Sequence, residues 1–344
     1  MIDGLREGED SSILANKILK VLADPLTIGK HELYVGSSIG ISLFPDNGES
    51  AADLLKNADA AMYKAKQEGR NNFQYYSAEM TSQAFERVFM ETSLRAALKN
   101  EEFVVYYQPQ VNGQTDEIIG FEALVRWQSS SLDRLVVPGK FIPIAESTGL
   151  IVELDRFVML EGMKQMVAWY NQGYNPGVLA LNLTIKQLQQ KDFITTLESM
   201  MNETGCRAQW LELEVTESQI MTHPEQTISL LNRLNEMGIS LALDDFGTGY
   251  SSLSYLKKLP IGKLKIDRSF IQDLPDDEED ASITKAVIAL AKSLKLDIIA
   301  EGAETRAQKL FLIENGCPNI QGYFYAKPMA ADGVEQLLKE GFHT

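Results

Sequence analysis

The stretch Val178-Leu179-Ala180-Leu181-Asn182 decides the fold, because it combines the pattern of a buried β-strand with a polar end. Side chains alternate between the two faces of a strand, so Leu179 and Leu181 share one face, whereas Val178, Ala180 and Asn182 share the other. If the leucines pack outward onto helices, Asn182 faces an enclosed interior. The stretch therefore predicts a buried strand that presents a polar group at its C-terminal end.

The same pattern recurs along the chain. Further apolar runs end in residues of the types that can bind metals or handle protons: Glu122, Glu214, Asp244-Asp245, Lys265 and Glu301. In the runs 211–216 and 239–244, the large aliphatic residues share one face and the carboxylates Glu214 and Asp244 lie on the other. Matching alternation on successive strands predicts that these polar ends converge on one interior.

Helical patterns separate these runs. Apolar residues recur at helical spacing in 158–170, and again in 228–237 before Gly238, which favours a helix end. Strand and helix alternate, and from Asn182 to Glu301 the polar strand ends recur roughly every 20 to 40 residues, as expected for repeated units of a parallel sheet. We therefore predict an α/β fold of the (β/α)8 barrel type, with its site at the C-terminal ends of the strands.

The first hundred residues follow a different pattern. Residues 36–42 predict a strand, and 51–67 predict a helix that ends near Gly69. An apolar side along 79–99 predicts a connecting helix. We place the domain boundaries at 1–78 for the first unit, 79–99 for the connection and 100–344 for the barrel.

Composition limits the classes of function. The chain has 344 residues and a formal net charge of −16, from 48 acidic and 32 basic residues, which argues against binding of duplex nucleic acid through a basic face. No apolar run approaches the roughly 20 residues that cross a bilayer, so we expect no membrane contact within this sequence.

Cys206 and Cys317 lack metal-site spacing and are expected to be reduced. We expect a cytoplasmic protein, or the cytoplasmic part of a longer membrane-attached sensor. The charged run 275–280 predicts a solvated loop.

The strand-end residues have the chemistry of a Mg²⁺ or Mn²⁺ site, since both ions prefer carboxylate and carbonyl oxygens. Two such ions about 4 Å apart can activate a water and hold a phosphodiester for in-line attack. Lys265 could position or deprotonate that water, or neutralise developing charge. Other interpretations stay open: each carboxylate taken singly is more often a surface charge or helix cap, and paired carboxylates also serve barrel glycosidases.

The polar strand ends and their neighbours resemble the EAL domain family of cyclic di-GMP phosphodiesterases. The matching segments are Gln108-Pro109, Glu122-Ala123-Leu124 with Arg126-Trp127, Asn182-Leu183-Thr184, Glu214-Val215-Thr216-Glu217, 244–253, Leu264-Lys265-Ile266-Asp267, Glu301-Gly302-Ala303-Glu304-Thr305 and Gln321-Gly322-Tyr323. Together they cover approximately residues 80 to 344.

This resemblance implies a barrel modified by one antiparallel strand, which hydrolyses cyclic di-GMP to linear pGpG with two Mg²⁺ or Mn²⁺ ions. The implied metal ligands are Glu122, Asn182, Glu214, Asp244, Asp245 and Glu301. The implied catalytic residues are Lys265, Gln321, Glu122 and Glu301. The implied substrate contacts are Gln108, Leu124, Arg126, Asp267 and Glu304. Glu217 would support the loop 245–252, which also contributes to homodimers in the family.

The early segment resembles the C-terminal half of a GGDEF (diguanylate cyclase) domain. The similarity lies in Ser38-Ile39-Gly40-Ile41, in 58–66 and in Gly69-Arg70-Asn71, whereas the naming motif is absent. We expect a partial α+β fragment that does not synthesise cyclic di-GMP. For the barrel we expect an active phosphodiesterase. The alternative is a catalytically silent cyclic di-GMP receptor, against which the intact acidic set argues.

Overall fold

The computed structural model describes residues 9–23, 25–28, 31–33, 35–222, 224–247 and 256–342. The chain divides into two units, within residues 1–92 and 93–344. The division falls inside the helix Ala78–Lys99, in the segment that the sequence predicts as a connecting helix. The domain limits at 78 and 99 stay a prediction.

The first unit contains short strands and helices. Its elements in chain order are α1 (Glu9–Ala23), β1 (Leu26–Ile28), β2 (His31–Leu33), β3 (Ile39–Ile41), α2 (Ala51–Gln67) and β4 (Phe73–Tyr75), and α3 (Ala78–Lys99) contains the division between the units. Strands β1 and β2 pair antiparallel, and β3 pairs parallel with β4. Gly40 brings β3 against α2, because a Cβ at this position would lie 1.9 Å from the Ala58 carbonyl oxygen. The predicted helix 51–67 is confirmed, and the predicted strand 36–42 is shorter than expected.

The second unit is a closed barrel. Its strands are β5 (Phe103–Asn112), β6 (Glu117–Ser129), β8 (Val178–Asn182), β9 (Leu211–Thr216), β10 (Ser240–Phe246), β11 (Lys263–Ile266), β12 (Asp297–Glu301) and β13 (Asn319–Gln321). The order around the barrel is β5, β13, β12, β11, β10, β9, β8, β6, and β6 pairs with β5 to close it. Strand β5 is antiparallel to both of its neighbours, and the other barrel pairings are parallel. The predicted barrel with one antiparallel strand is confirmed.

Helices alternate with the barrel strands, and a short strand, β7 (Arg134–Val136), extends the sheet beyond β6. The helices in the described residues of this unit are α4 (Pro138–Thr148), α5 (Ile151–Asn171), α6 (Ile185–Leu188), α7 (Phe193–Thr204), α8 (Glu217–Thr222), α9 (Pro224–Glu236), α10 (Glu278–Leu294), α11 (Arg306–Glu314) and α12 (Ala331–Glu340). None of the described helices has the length and apolarity that a bilayer crossing requires.

The leucines of β8 face outward, as the alternation predicts. Leu179 and Leu181 are fully buried, and a Cβ built at Gly162 of α5 would lie 3.0 Å from Leu179 Cδ2 and 3.5 Å from Leu181 Cδ2. The missing side chain at Gly162 therefore lets the helix approach the sheet. Burying each leucine contributes roughly 1.5–3 kcal/mol. This outward packing leaves Ala180 and Asn182 on the interior face.

The barrel interior holds a buried ion pair that the sequence did not predict. Lys263 Nζ lies 2.7 Å from Glu212 Oε1, and both side chains are largely buried. The strands β9 and β11 that carry them are separated by β10, where Ala242 pairs in register with both Glu214 and Lys263. The small Ala242 side chain leaves room for the pair, which occupies a layer one step below the strand-end residues.

Removing one partner of this buried pair is expected to cost stability. The Glu212→Ala variant should lose about 3–5 kcal/mol of unfolding free energy, because Lys263 is left buried without its carboxylate. Urea denaturation measures the change. The control is Asp192→Ala, which breaks the more exposed Arg156–Asp192 pair (2.8 Å) and should cost less than about 1 kcal/mol. Equal losses in the two variants would contradict this account of the interior.

The solvated loop predicted for 275–280 is wrong in its second half, because α10 begins at Glu278. The Asp277 side chain accepts hydrogen bonds from the backbone N–H groups of Glu279 and Asp280, both at 2.9 Å. Acidic residues in a first turn also interact favourably with the positive end of the helix dipole. The run is therefore a helix start as well as a charged surface.

Candidate active site

The polar strand ends meet at one edge of the barrel, and Glu122 is held there by two amide groups. Asn182 Nδ2 donates to Glu122 Oε1 at 2.7 Å, and Gln321 Nε2 donates to Glu122 Oε2 at 2.5 Å. Gln321 Nε2 also lies 3.2 Å from Gln108 Oε1, and Gln108 is buried. Both oxygens of the Glu122 carboxylate are thus oriented by amide groups, one at the end of β8 and one at the end of β13.

Lys265 lies among the other carboxylates. Its Nζ is 2.6 Å from Glu301 Oε1, 2.7 Å from Glu214 Oε2 and 3.4 Å from Asp244 Oδ1, and the side chain is fully buried. Burial alone would lower the pKa of Lys265, but the surrounding carboxylates outweigh it and raise the pKa well above its usual range. The side chain is therefore an ammonium ion that binds three strand ends together.

Negative charge exceeds positive charge in this cluster, since Glu122, Glu214, Asp244 and Glu301 face the single ammonium of Lys265. Burial and the neighbouring carboxylates raise the pKa of Glu214 well above its usual range, although Lys265 opposes the shift. Burial, opposed by Lys265 and reinforced by Asp244 and Glu122, raises the pKa of Glu301 to about 8. Carboxylates that resist ionisation in this way would be stabilised by an added cation.

The donor set fits Mg²⁺ or Mn²⁺ in its chemistry. It consists of carboxylate and amide oxygens, and Glu214 Oε1 is buried without a hydrogen bond from any described residue. In this structure the carboxylates turn towards the Lys265 ammonium, and among the described residues no three acidic, histidine or cysteine side chains form a preformed metal cage. The residues can thus supply metal ligands, and in this structure the Lys265 ammonium lies between their carboxylates.

Asp245 follows Asp244 in a strained backbone conformation. Its φ is 55°, in the left-handed region that residues other than glycine seldom adopt, and its backbone N–H donates to Asp244 Oδ1 at 2.9 Å. The pairing with β11 is irregular between Leu243 and Phe246. Burial, Asp244 and Asp267 together raise the pKa of Asp245, so its carboxylate lies near the cluster. The irregular strand end allows consecutive aspartates to serve one site.

The sequence-predicted substrate contacts occupy varied positions. Arg126 is half-buried, and its guanidinium lies 5.6 Å from the centre of the Tyr106 ring. Asp267 is the N-cap of a short 3-10 turn, where its side chain accepts from Ser269 N at 3.0 Å. Glu304 pairs with Arg268 at 2.9 Å. The structure therefore places Arg126 at the rim of the site, near Glu122, and holds Glu304 in an ion pair with Arg268.

Glu217 is buried at the start of α8, where it lines a small cavity with Phe246 and Leu256. These two residues flank the segment 248–255. Most of the predicted loop 245–252 falls in that segment and so lies outside the described residues. The position of Glu217 beside both ends of this segment suits a supporting role.

Asp155 borders the candidate site, and the sequence analysis missed it. It lies on α5, and its Oδ2 accepts a hydrogen bond from Thr184 Oγ1 at 2.5 Å. Asp155 lines a cavity of about 260 Å³ together with Leu124, Asn182 and Glu214. The sequence could have indicated it, because Asp155 is an acidic residue on the otherwise apolar buried side of α5. The cavity extends the candidate site from the strand ends towards α5.

Burial raises the pKa of Asp155 to about 7, although hydrogen bonds from Thr184 oppose the shift. An acid with a raised folded-state pKa binds more protons when folded, so its contribution favours folding at low pH and is lost as the pH rises towards 7. Replacing Asp155 by Asn should therefore stabilise the protein at pH 8, by at most about 4 kcal/mol, and much less at pH 4. Urea unfolding of both proteins across this range measures it. A difference that does not change with pH would contradict the assignment.

Comparisons with known proteins identify two families in the chain. The EAL domain family matches residues 91–328, and the family described as "Diguanylate cyclase, GGDEF domain" matches residues 5–72. The bifunctional diguanylate cyclase/cyclic di-GMP phosphodiesterase MucR of Pseudomonas aeruginosa is 41% identical over 97% of this chain and 48% of its own length. The cyclic di-GMP phosphodiesterase PdeR of Escherichia coli is 38% identical over 95% of this chain and 49% of its own length.

A solved structure of the PaMucR phosphodiesterase in complex with c-di-GMP covers 72% of this chain and 99% of its own, with 40% identity and a TM-score of 0.69. The chain spans about half the length of these curated relatives. A family that matches more than half of the chain, on a barrel of the predicted type, establishes the assignment. This chain belongs to the EAL domain family and carries part of a GGDEF domain before its barrel.

Proposed function

We propose that the barrel hydrolyses cyclic di-GMP to linear pGpG with the help of Mg²⁺ or Mn²⁺. One observation carries the proposal: the Lys265 ammonium lies within 2.6–3.4 Å of Glu301, Glu214 and Asp244 at the strand ends. Relatives that match nearly the whole chain are named cyclic di-GMP phosphodiesterases. A fixed ammonium within an acidic, oxygen-rich cluster suits phosphodiester chemistry better than it suits glycoside hydrolysis, which needs two carboxyl groups in defined roles.

The proposed ligands are the strand-end donors. Glu122, Asn182, Glu214 and Asp244 would hold one ion, and Asp244, Asp245 and Glu301 would serve a second. When bound, the ions would acidify a water and neutralise charge on the phosphate.

The residues beside the ligands would orient the ligands and the attacking water and stabilise negative charge on the substrate. Gln321 holds the Glu122 carboxylate through its Nε2 donor. Lys265, as an ammonium, would donate to an oxygen that gains negative charge during cleavage, or orient the attacking water. Arg126 at the rim would pair with a phosphate oxygen, and Leu124 would contact the substrate from the cavity beside Asp155.

The competing function is a receptor that binds cyclic di-GMP without cleaving it. Purified protein should convert cyclic di-GMP to pGpG in the presence of Mn²⁺ or Mg²⁺, and chelation with EDTA should stop the conversion. Chromatography identifies the product, and calorimetry measures binding in parallel. Binding by folded protein without turnover, with either metal, would leave the receptor as the function.

We also propose a homodimer formed through the barrel. The family resemblance at 245–252 supports it, and light scattering coupled to size-exclusion chromatography tests it. A monomeric mass at all protein concentrations would overturn the dimer without affecting the proposed chemistry.

A further inference from the structure

We propose that Lys327 and Tyr323 hold the half of cyclic di-GMP that is not being cleaved, with the Lys327 ammonium on the second phosphate. The inference rests on the proposed hydrolysis of cyclic di-GMP and assigns residues for recognition of that substrate. A cyclic dinucleotide carries two phosphates on opposite sides of one ring. When one phosphate occupies the strand-end cluster, the other lies outside the reach of Lys265 and requires a separate cation.

Hydrogen bonds hold the segment 322–329, which follows β13, at the rim of the site. Gln108 Nε2 donates to the carbonyl oxygen of Ala326 at 3.2 Å, and Gln108 Oε1 contacts Gln321. Two backbone hydrogen bonds, of 2.7 and 3.0 Å, also join Met329 to Tyr107. Lys327 follows Ala326 directly, so its backbone lies one residue from a group that touches the site. Its position is therefore fixed relative to the strand-end cluster.

Two cations at this rim each lie over a tyrosine ring. Lys327 Nζ is 5.4 Å from the centre of the Tyr323 ring, and the Arg126 guanidinium is 5.6 Å from that of Tyr106. Burial lowers the pKa of Arg126, and an electrostatic interaction with Tyr323 opposes this, so Tyr323 interacts with Arg126 as well as with Lys327. They form a basic and aromatic rim above an acidic cluster.

The chemistry of the rim suits a nucleotide. An ammonium or guanidinium supplies charge-assisted hydrogen bonds to phosphate oxygens, and tyrosine rings provide faces on which a purine can stack. Tyr323 and Lys327 are exposed, which leaves both available to a ligand. In a chain of net charge −16, a phosphate distant from the metal ligands needs such a local positive group.

A comparison of two substrates tests the assignment. Cyclic di-GMP has two phosphates, whereas bis(p-nitrophenyl) phosphate is a diester with one. The Lys327→Ala variant should lower the ratio of kcat/KM for cyclic di-GMP to kcat/KM for bis(p-nitrophenyl) phosphate by about 10-fold or more, because a charged hydrogen bond is lost for one substrate alone. The change should lie in KM, since contacts distant from the reacting phosphate persist through the reaction.

The matched control is Lys285→Ala. Lys285 also lies over an aromatic ring, 5.3 Å from the centre of Phe311, but on the outer helices α10 and α11. This variant should keep the wild-type ratio. Lys327→Arg should restore most of the ratio, because it keeps the charge. The assignment would be overturned if Lys327→Ala kept the wild-type ratio of the two kcat/KM values. It would also be overturned if Lys285→Ala lowered that ratio as much as Lys327→Ala does.

Direct binding separates this inference from the proposed function. Calorimetry with cyclic di-GMP should give a Kd about 10-fold weaker for Lys327→Ala than for the wild type. If the wild type binds cyclic di-GMP without cleaving it, the proposed hydrolysis fails, and the Kd of Lys327→Ala still decides the inference. An unchanged Kd, or a wild type that does not bind cyclic di-GMP, overturns the role of Lys327.

Discussion

Replacing Lys265 by Met is expected to lower kcat for cyclic di-GMP by about 10²–10⁴-fold, the range lost when a positioned proton-handling or charge-stabilising group is removed. Methionine keeps much of the volume and fits a buried position, so the change removes the ammonium more than the packing. Steady-state turnover at saturating Mn²⁺ measures the effect. Turnover within tenfold of the wild type would contradict a catalytic role for Lys265.

The structure also predicts how this variant responds to metal. Without the ammonium, Glu214, Asp244 and Glu301 repel one another in a buried site, so the metal-free variant should lose several kcal/mol of unfolding free energy. Mn²⁺ bound to the same carboxylates should return part of it, and thermal unfolding with and without Mn²⁺ measures this.

The control is a second buried lysine, Lys263, which lies one layer below the strand-end residues. The double variant Lys263→Met/Glu212→Leu removes the lower buried pair without leaving an unpaired charge. It should keep kcat within about tenfold of the wild type, because it leaves the strand-end groups in place.

The second large effect is expected at Glu214. The Glu214→Gln variant should bind Mn²⁺ at least about 100-fold more weakly and lose turnover to a similar or greater extent, since it exchanges a charged ligand for a neutral one of the same shape. Glu214 is buried, and its Oε1 carries no hydrogen bond from a described residue. Calorimetric titration with Mn²⁺ in the absence of nucleotide measures the affinity directly.

Glu212→Gln is the matched control, because Glu212 lies on the same strand and the same face, two residues earlier. It should destabilise the protein by leaving Lys263 without its ion pair, while folded protein keeps Mn²⁺ affinity near the wild-type value. Wild-type affinity in Glu214→Gln, or an equal loss in Glu212→Gln, would show that Glu214 is not a ligand.

The alternation of side chains along the strands was sufficient to predict the barrel and the convergence of its polar ends. Leu179 and Leu181 pack outward against Gly162, and Asn182 therefore faces inward towards Glu122. This inference succeeds because the strand period fixes faces locally, before any tertiary contact is known.

Contacts between distant segments could not be predicted in the same way. The Glu212–Lys263 pair depends on β9 and β11 being separated by one strand, which follows from barrel order and not from either sequence run. Asp155 reaches the site from a helix. Glu304 follows the end of its strand at Glu301 and pairs with Arg268, a contact that the strand pattern does not predict. The alternation of side chains along a strand does not predict contacts beyond the last residue of that strand.

Cleavage in heavy-oxygen water tests the central claim most directly. Purified protein is incubated with cyclic di-GMP in H₂¹⁸O, with Mn²⁺ or with EDTA, and the product is analysed by mass spectrometry. The account predicts linear pGpG with one heavy oxygen in its terminal phosphate, formed with Mn²⁺ and absent with EDTA. Cyclic di-GMP that binds yet stays intact with Mn²⁺, or that is cleaved equally well with EDTA, would contradict a metal-dependent hydrolase site at these strand ends.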